Sequence, residues 1–382
     1  MDLTSKQRVL DAVSHCETDR IPITFDAEEE VYEALYEHLG LETKEALFDR
    51  LNVDTWMLLP GNFMYADPSS PSPSTGPGAD WDEDGDRNRD EDEDEERTTI
   101  WGYRTKLMRY AGGSYDGATF FPLAGKDAIS DIAAHAWPEP ELLDFSHYPD
   151  EAAAHSNRAI IGVFTWGAYF IASFVRGLEE LMLDFAMRKK YADHLINTIA
   201  DISCTALERM LETAGDGIDI VYMADDYCSH MAPMFSPANF GEFVVPYLRR
   251  VVDLTHKHDK KFLLHVCGAV RPLLPQIIDC GVDMLEPIQT RANGMDPAGL
   301  KRDFGADLCF YGGVDLQQTL CQGSRQEVAD EVRRLIDILG TGGGYILGPG
   351  HTYIQVDAPI ENILTMYDTA FSTLPPARAG TN

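Results

Sequence analysis

The chain has 382 residues, and its hydrophobic fraction of 44% is enough to build the core of one large domain or two ordinary ones. It carries 63 acidic and 31 basic residues, which gives a formal net charge of -32 at pH 7. Because nucleic acids and anionic membranes bind basic surfaces, this charge excludes both as partners. The hydrophobic fraction excludes a disordered protein.

The acidic excess resembles that of proteins adapted to high salt. Lysine is scarce, and most of the basic residues are arginines. At about 1 M salt the screening length falls to roughly 3 Å, so repulsion between surface carboxylates acts over a very short range. We therefore predict a halophilic protein with a hydrated acidic surface.

The cysteines and the N-terminal pattern indicate the compartment. The seven cysteines are an odd number and are scattered without paired spacing, which argues against a disulfide framework and favours a reducing environment. An amphipathic helical pattern begins at Ser5 without an apolar signal segment before it. No apolar run approaches the roughly 18 residues of a membrane span. We expect a cytoplasmic protein.

Short apolar runs separated by helical patterns recur along the chain. Most of these runs are continuous rather than alternating, as expected for parallel strands that are covered on both faces. The predicted strands are residues 20–25, 53–59, 159–165, 218–223, 261–266, 282–287, 308–313 and 344–347. The predicted helices are residues 28–39, 177–210 (as two helices), 237–257, 270–280, 325–339 and 360–372. This α/β alternation predicts one (β/α)8 TIM barrel over residues 1–382, in preference to a doubly wound sheet.

One segment departs from the alternation. Residues 66–97 are rich in serine and proline and then almost wholly acidic. Such a composition buries no apolar surface, and it lacks the ligand spacing and glycine turn of a calcium-binding loop. The segment is predicted to be a disordered, acidic, low-complexity insertion within the barrel.

Polar residues of reactive types follow five consecutive predicted strands. In a (β/α)8 barrel the positions just after the strands form the rim of the active site. In chain order the main ones are Asp225, Asp226, Tyr227, Cys228, His230, His265, Cys267, Glu286, Gln289, Asp315, His351, Tyr353 and Gln355.

The most informative pair is His265 and Cys267, which are separated by one residue at the end of a predicted strand. Strand side chains alternate between faces, so both point the same way and could hold one metal ion. A thiolate combined with imidazole suits zinc, and His351, after a Gly-Pro-Gly turn, is the predicted third ligand. The alternative is a hydrogen-bonded core histidine beside a small buried cysteine.

Three carboxylates are predicted to be catalytic. Asp225, Asp226 or Glu286 would take or supply a proton, or orient a ligand histidine. For the two aspartates a role as a helix or turn cap is an equal alternative. The chain contains no nucleotide-binding glycine motif and no G-x-S-x-G elbow, so the phosphate-binding and serine-hydrolase readings lack support.

An ordered series of motifs covers most of the chain. It comprises Ser5-Lys6-Gln7-Arg8-Val9-Leu10, Asp19-Arg20-Ile21-Pro22, Leu264-His265-Val266-Cys267-Gly268, Gly281-Val282-Asp283, Met295-Asp296-Pro297, Gly312-Gly313-Val314-Asp315 and Ala358-Pro359-Ile360-Glu361-Asn362-Ile363. This series resembles the uroporphyrinogen decarboxylase-like superfamily, which also contains zinc-dependent methyltransferases that act with corrinoid proteins or thiols.

The resemblance is closer to the methyltransferase branch. True decarboxylases resemble one another in an arginine-rich loop of the R-Q-A-G-R type that grips the acid groups of a tetrapyrrole. Here the segment after the first strand is acidic, Phe25-Asp26-Ala27-Glu28, and would repel a polycarboxylate. The methyltransferase branch carries H-x-C, matched by His265 and Cys267, and a cysteine near the eighth strand, where this chain has His351.

The resemblance implies a zinc-dependent methyltransferase that moves a methyl group between a small substrate or thiol and a corrinoid carried on a separate protein. It also suggests a homodimer. Two alternatives are a uroporphyrinogen decarboxylase that needs no metal and a non-catalytic protein that binds a tetrapyrrole or corrinoid.

Overall fold

A parallel sheet of seven strands forms the centre of the protein in a computed structural model, which describes residues 3–65, 96–110 and 113–374. In spatial order its strands are β1 (Thr55–Leu58), β5 (Ala159–Val163), β6 (Ile220–Ala224), β7 (Lys261–His265), β8 (Met284–Glu286), β9 (Cys309–Tyr311) and β10 (Tyr345–Ile346). A separate antiparallel sheet consists of β2 (Arg97–Thr98), β3 (Arg104–Tyr110) and β4 (Gly113–Phe120).

Helices connect the parallel strands. They are α1 (Ser5–Val13), α2 (Glu29–Leu39), α3 (Lys44–Leu51), α4 (Ile129–Ala134), α5 (Tyr148–Ala154), α6 (Ala168–Arg176), α7 (Leu178–Met187), α8 (Lys189–Ala214), α9 (Pro237–Asn239), α10 (Val245–Lys257), α11 (Leu274–Asp279), α12 (Pro297–Phe304), α13 (Arg325–Leu339) and α14 (Ile360–Ser372). A π-helical turn, Phe240–Val244, joins α9 to α10.

The order of the strands distinguishes the two predicted architectures. Along the sheet it follows the chain from β1 to β10 without reversal, whereas a doubly wound sheet reverses direction at a switch point. The predicted first strand, residues 20–25, is an extended segment that forms a parallel bridge between Ile23 and Leu347. The Ile23 carbonyl also accepts a hydrogen bond of 2.8 Å from Asp54 N, beside β1. The fold is therefore an α/β, TIM-barrel-like fold with a curled parallel sheet.

A buried ion cluster attaches the N-terminal segments to this sheet. Asp54 is fully buried and accepts bonds from Arg8 Nη1 at 2.7 Å and from Arg20 Nη1 at 2.6 Å. Its second oxygen also accepts the backbone N–H of Ile23 at 2.8 Å. Two arginines and one backbone donor therefore satisfy a carboxylate that would be costly to bury alone.

The outer helices follow their amphipathic patterns. In α13 the side chain of Ser324 caps the helix, and Glu327 bonds back to the Ser324 backbone in a capping box. Its buried residues are Val328, Ala329, Val332, Leu335, Ile336 and Leu339. Each large aliphatic side chain contributes about 1.5–3 kcal/mol on burial, so the apolar face holds the helix against its neighbours α12 and α14.

The structure confirms the predicted α/β alternation at the level of the curled parallel sheet. The predicted helix bounds 325–339 and 360–372 agree with α13 and α14. The helices predicted from the sequence do not include α3, α4, α5, α6 or α12, and the antiparallel sheet was not predicted. Of the predicted insertion 66–97, residues 66–95 lie outside the described residues, and Arg97 lies in β2. Among the described residues, no helix has both the length and the apolar character of a membrane span.

Candidate metal centre

Four predicted site residues meet at the carboxyl ends of three neighbouring strands. His265 is the last residue of β7, and Glu286 is the last residue of β8. Asp226 follows β6 and Cys267 follows β7, each by two residues. Because the strands are parallel and paired in register, their ends bring these side chains to one edge of the sheet.

His265, Cys267 and Asp226 form a compact group of donor atoms. Nε2 of His265 lies 3.4 Å from Sγ of Cys267 and 3.6 Å from Oδ1 of Asp226. All three donor atoms lie within 4.8 Å of one another. Zinc bound tetrahedrally at about 2.0–2.3 Å separates its ligand atoms by roughly 3.3–3.6 Å. The set of one sulfur, one nitrogen and one oxygen donor therefore fits zinc in both spacing and chemistry.

Glu286 supports the histidine from the other side of its ring. Its Oε2 lies 2.6 Å from Nδ1 of His265, and its Oε1 accepts a bond of 3.0 Å from the hydroxyl of Thr352. Burial by itself lowers the pKa of His265, but the charges of Glu286 and Cys267 outweigh it and hold that pKa well above its ordinary value. Burial raises the pKa of Glu286, whereas the charge of His265 brings it below its usual range. A carboxylate behind a ligand imidazole fixes the tautomer and the orientation of the ring.

Backbone and amide contacts hold the thiol of Cys267. The backbone N–H of Cys267 donates to Oδ1 of Asp226 at 2.8 Å, and the Sγ of Cys267 accepts a hydrogen bond of 3.4 Å from Nε2 of Gln289. Burial raises the pKa of Cys267, but the charge and hydrogen bond of His265 bring it below its ordinary value, which favours the thiolate. The turn that follows requires Gly268, since its φ is 87° and an added Cβ would lie 2.4 Å from the Ser229 carbonyl oxygen.

His351 lies beside this group, in the loop after β10. Its ring centroid is 6.3 Å from that of His265, with the rings perpendicular. A hydrogen-bond contact with Cys267 outweighs burial and raises the pKa of His351. Its Nδ1 accepts the backbone N–H of Tyr353 at 3.3 Å. The third member of the compact group is Asp226, for which the sequence predicted proton transfer, orientation of a ligand histidine or a cap, and not metal binding.

Asp225 faces a different environment. It is fully buried and accepts hydrogen bonds from the hydroxyls of Tyr227 and Tyr247, and from the N–H of Phe170 at 2.7 Å. Burial raises its pKa to about 7. An added Cβ at Gly167 would lie 2.1 Å from Cγ of Asp225, so the start of α6 packs closely on this carboxylate. Asp225 therefore satisfies one of the backbone N–H groups that have no partner within the first turn of α6.

A cavity of about 150 Å³ opens beside the group. Its walls include the side chains of Met57, Leu59, Phe63, Val163, Trp166, Phe170, Tyr222 and Tyr353, and it also contacts Asp226, His265, His351 and Thr352. A smaller space of about 20 Å³ shares four of these residues and is lined by Asp26 and Lys44. Burial raises the pKa of Asp26 to about 6 and lowers that of Lys44. No periodic pattern in the sequence predicts these walls, because several of their residues lie in loops.

Comparison with known proteins identifies relatives of two kinds. Residues 151–372 match the family model described as uroporphyrinogen decarboxylase (URO-D). The uroporphyrinogen decarboxylase of Hordeum vulgare is 26% identical over 222 residues, which cover 56% of this chain and 62% of that protein. The methylcobamide:CoM methyltransferase of Methanosarcina barkeri is 24% identical over 200 residues, which cover 52% of this chain and 53% of that protein. The chain thus spans little more than half the length of these relatives.

A solved structure extends the likeness in fold to almost the whole chain. A methyltransferase from Methanosarcina mazei matches with a TM-score of 0.64 at 16% identity. The match covers 97% of this chain and 99% of that one. At this level of identity, the likeness establishes the fold.

Proposed function

The chain belongs to the uroporphyrinogen decarboxylase family, and we propose that within this family it is a zinc-dependent methyltransferase. The observation that carries the proposal is the 3.4 Å separation between His265 Nε2 and Cys267 Sγ, with Asp226 Oδ1 3.6 Å from the same nitrogen. Catalytic zinc sites use three protein ligands and keep one position open for a substrate. In this proposal His265, Cys267 and Asp226 hold zinc, and His351 lies next to the open position.

Zinc in this position would act as a Lewis acid that lowers the pKa of a substrate thiol or polarises a substrate oxygen. The protein residues have separate tasks. Glu286 orients His265, and Gln289 supports the sulfur of Cys267 with a hydrogen bond. The apolar side chains in the cavity wall lower the local polarity, which strengthens electrostatic interactions within the site. In this proposal His351, which lies beside Cys267, exchanges a proton with the bound substrate and does not itself hold the metal.

The second substrate in this proposal is a corrinoid carried by a separate protein, which gives or receives the methyl group. The resemblance of the H-x-C motif to that of corrinoid-dependent methyltransferases supports this partner. The printed name of the Methanosarcina barkeri relative, a methylcobamide methyltransferase, also supports it. The small substrate is a thiol or another methylated compound.

Decarboxylation of uroporphyrinogen is the second candidate, because the Hordeum vulgare relative carries that activity in its name. The substrate is a polycarboxylate, which needs arginine or lysine partners. Among the described residues that line the two cavities, Lys44 is the only lysine or arginine, and Asp26 lies in the same lining. This electrostatic setting favours methyl transfer.

The proposal is tested by the zinc content of the protein purified in high salt. We expect about one zinc ion per chain, lost in Cys267→Ala and retained in Cys16→Ala, a matched control because Cys16 is exposed. Asp226→Ala should lose more zinc than His351→Ala. The same preparations are assayed for methyl transfer from a methylated corrinoid to a thiol.

Two results would contradict the proposal. A folded protein without zinc that converts uroporphyrinogen to coproporphyrinogen would refute the proposal in favour of decarboxylation. Visible absorbance from a tightly held corrinoid or tetrapyrrole, with neither activity present, would favour a binding protein.

The proposal extends to the architecture of the whole chain. Residues 20–25 would serve as the eighth strand of a closed (β/α)8 barrel, since they bond to segments at both edges of the sheet. Residues 1–382 would form one domain with an acidic insertion at 66–97, and the chain would assemble as a homodimer.

A further inference from the structure

The cavity beside the candidate metal centre has a continuous aromatic wall. The ring centroids of Phe63 and Trp166 are 4.9 Å apart, and those of Trp166 and Phe170 are 5.4 Å apart. Tyr222 and Tyr353 line the same cavity. Aromatic faces carry negative charge density and attract organic cations, and tryptophan is the strongest of them.

The charged groups around the cavity also favour a cation. None of the described residues that line it is a lysine or an arginine, and Asp226 is part of the lining. Glu286 lies directly behind His265, at 2.6 Å. With a divalent ion bound, its two positive charges are outnumbered by three anionic groups, which are Cys267, Asp226 and Glu286. The site therefore keeps an excess of negative charge. An anionic head group would meet no lysine or arginine among the described lining residues, whereas a cation meets aromatic rings and the carboxylate of Asp226.

The size of the cavity limits the ligand. Its volume is about 150 Å³. An apolar protein cavity of about 150 Å³ accommodates benzene. Tetramethylammonium and trimethylsulfonium have fewer heavy atoms than benzene and are compact, so either fits as a complete ion or as the head group of a longer substrate.

We propose that this cavity binds a methylated onium cation, a quaternary ammonium or a tertiary sulfonium, as the methyl donor. The inference rests on the proposed methyl transfer, which gives the bound group its chemical role. The bond between the methyl carbon and the onium nitrogen or sulfur breaks, and its electron pair stays on the departing neutral amine or thioether. The carbon forms its new bond with the electron pair of a thiolate or a reduced corrinoid. The step consumes no proton and no oxidant.

The experiment compares tetramethylammonium with its neutral analogue tert-butanol. Calorimetric titrations are made on the zinc-loaded full chain at constant ionic strength, so that the acidic surface contributes equally throughout. We expect tetramethylammonium to bind about tenfold more tightly, the effect of one or two cation–π contacts. Trp166→Leu should remove most of this preference and Trp166→Phe should keep most of it. Trp137→Leu is the control, because Trp137 lies outside the cavity lining.

Two results would overturn the inference. Equal affinity for tert-butanol would indicate a neutral donor such as a thioether or an alcohol. Unchanged cation binding in Trp166→Leu would assign the binding to the acidic surface instead of the cavity.

Zinc content and methyl transfer, measured on the same preparations, separate this inference from the proposed function. A protein that holds zinc and transfers methyl groups without binding tetramethylammonium refutes the onium donor alone. A protein that binds tetramethylammonium in the cavity but lacks zinc and transfer refutes the proposed function, and with it the role of the cation as a donor.

Discussion

Oε2 of Glu286 lies 2.6 Å from Nδ1 of His265, while Nε2 on the other side of the ring faces Sγ of Cys267 at 3.4 Å. The imidazole is therefore held between a carboxylate and a thiol. Because Glu286 accepts a hydrogen bond from Nδ1–H, the proton of the neutral ring is on Nδ1. The free electron pair is then on Nε2 and is directed toward Cys267 and Asp226. This relationship makes Glu286 a positioning residue for the candidate metal centre.

We predict that Glu286→Gln weakens zinc binding about 10- to 100-fold, since the amide keeps the shape of the side chain but loses the charge that supports the ring. Zinc affinity is measured by competition with a chromogenic chelator. Glu361→Gln is the control, because Glu361 is exposed in the first turn of α14. Equal affinity in Glu286→Gln and the control would show that this carboxylate does not tune the site.

We predict a structural role for Asp225, which substitution can test. We predict that Asp225→Ala lowers the free energy of unfolding by about 2–4 kcal/mol, because the Tyr227 and Tyr247 hydroxyls and the Phe170 N–H lose their acceptor. Asp225→Asn keeps an acceptor in place and should lose less. Both are measured by urea denaturation, and both should retain zinc. A stable Asp225→Ala protein that binds zinc but has lost activity would instead support the predicted acid–base role.

Asp26 should make stability depend on pH. Its pKa is raised to about 6 by burial, whereas an unfolded aspartate titrates near about 3.9. The folded state therefore binds this proton more tightly, so the contribution of Asp26 to stability falls as the pH rises from about 4 to about 6 and stays low above that.

Asp26→Asn removes this dependence. We predict that the variant is more stable than the parent at pH 7, by up to about 3 kcal/mol, and that its advantage is smaller at pH 5. Unfolding free energies are measured at both values. Asp330→Asn, on the exposed face of α13, controls for the general change in net charge. An advantage that is the same at pH 5 and pH 7 would contradict the assigned pKa.

The net charge of -32 leads to a prediction about salt. Self-repulsion between surface carboxylates destabilises the compact state, and raising the salt from about 0.1 M to about 1 M shortens its range from about 10 Å to about 3 Å. The melting temperature should therefore rise between 0.1 M and 1 M potassium chloride. A melting temperature that is constant over this range would refute the predicted salt adaptation.

Local spacing was enough to predict that His265 and Cys267, two of the four residues of the candidate centre, lie together. The period of two in a strand places His265 and Cys267 on one face, and Gly268 supplies the turn that their positions require. The rule that parallel strands end at one edge correctly brought Glu286 to the same place. The bounds of α13 could also be predicted from the sequence, because the capping box of Ser324 and Glu327 is a local interaction.

The antiparallel sheet and the helix α6 were not predicted. The strands β3 and β4 contain many polar and charged residues, so they lack the apolar runs that marked the central strands. The helix α6 begins only a few residues after β5, and most of its residues are apolar. A short buried helix of this kind cannot be distinguished from a strand by its pattern. The aromatic cavity wall was missed because Phe63 and Trp166 lie far apart in the sequence.

The sequence by itself determined the order of the central strands, the family motifs and the pairing of His265 with Cys267, since each depends on residues close together in the chain. Only the tertiary structure showed that Asp225 and Asp226 have different surroundings. These neighbours have the same chemistry and nearly the same local preferences. Asp225 accepts hydrogen bonds from the hydroxyls of Tyr227 and Tyr247 and from the start of α6, whereas Asp226 accepts one from the backbone N–H of Cys267. The curl of the sheet and the packing of α6 and α10 against it set these directions, and both arise from contacts between residues distant in sequence.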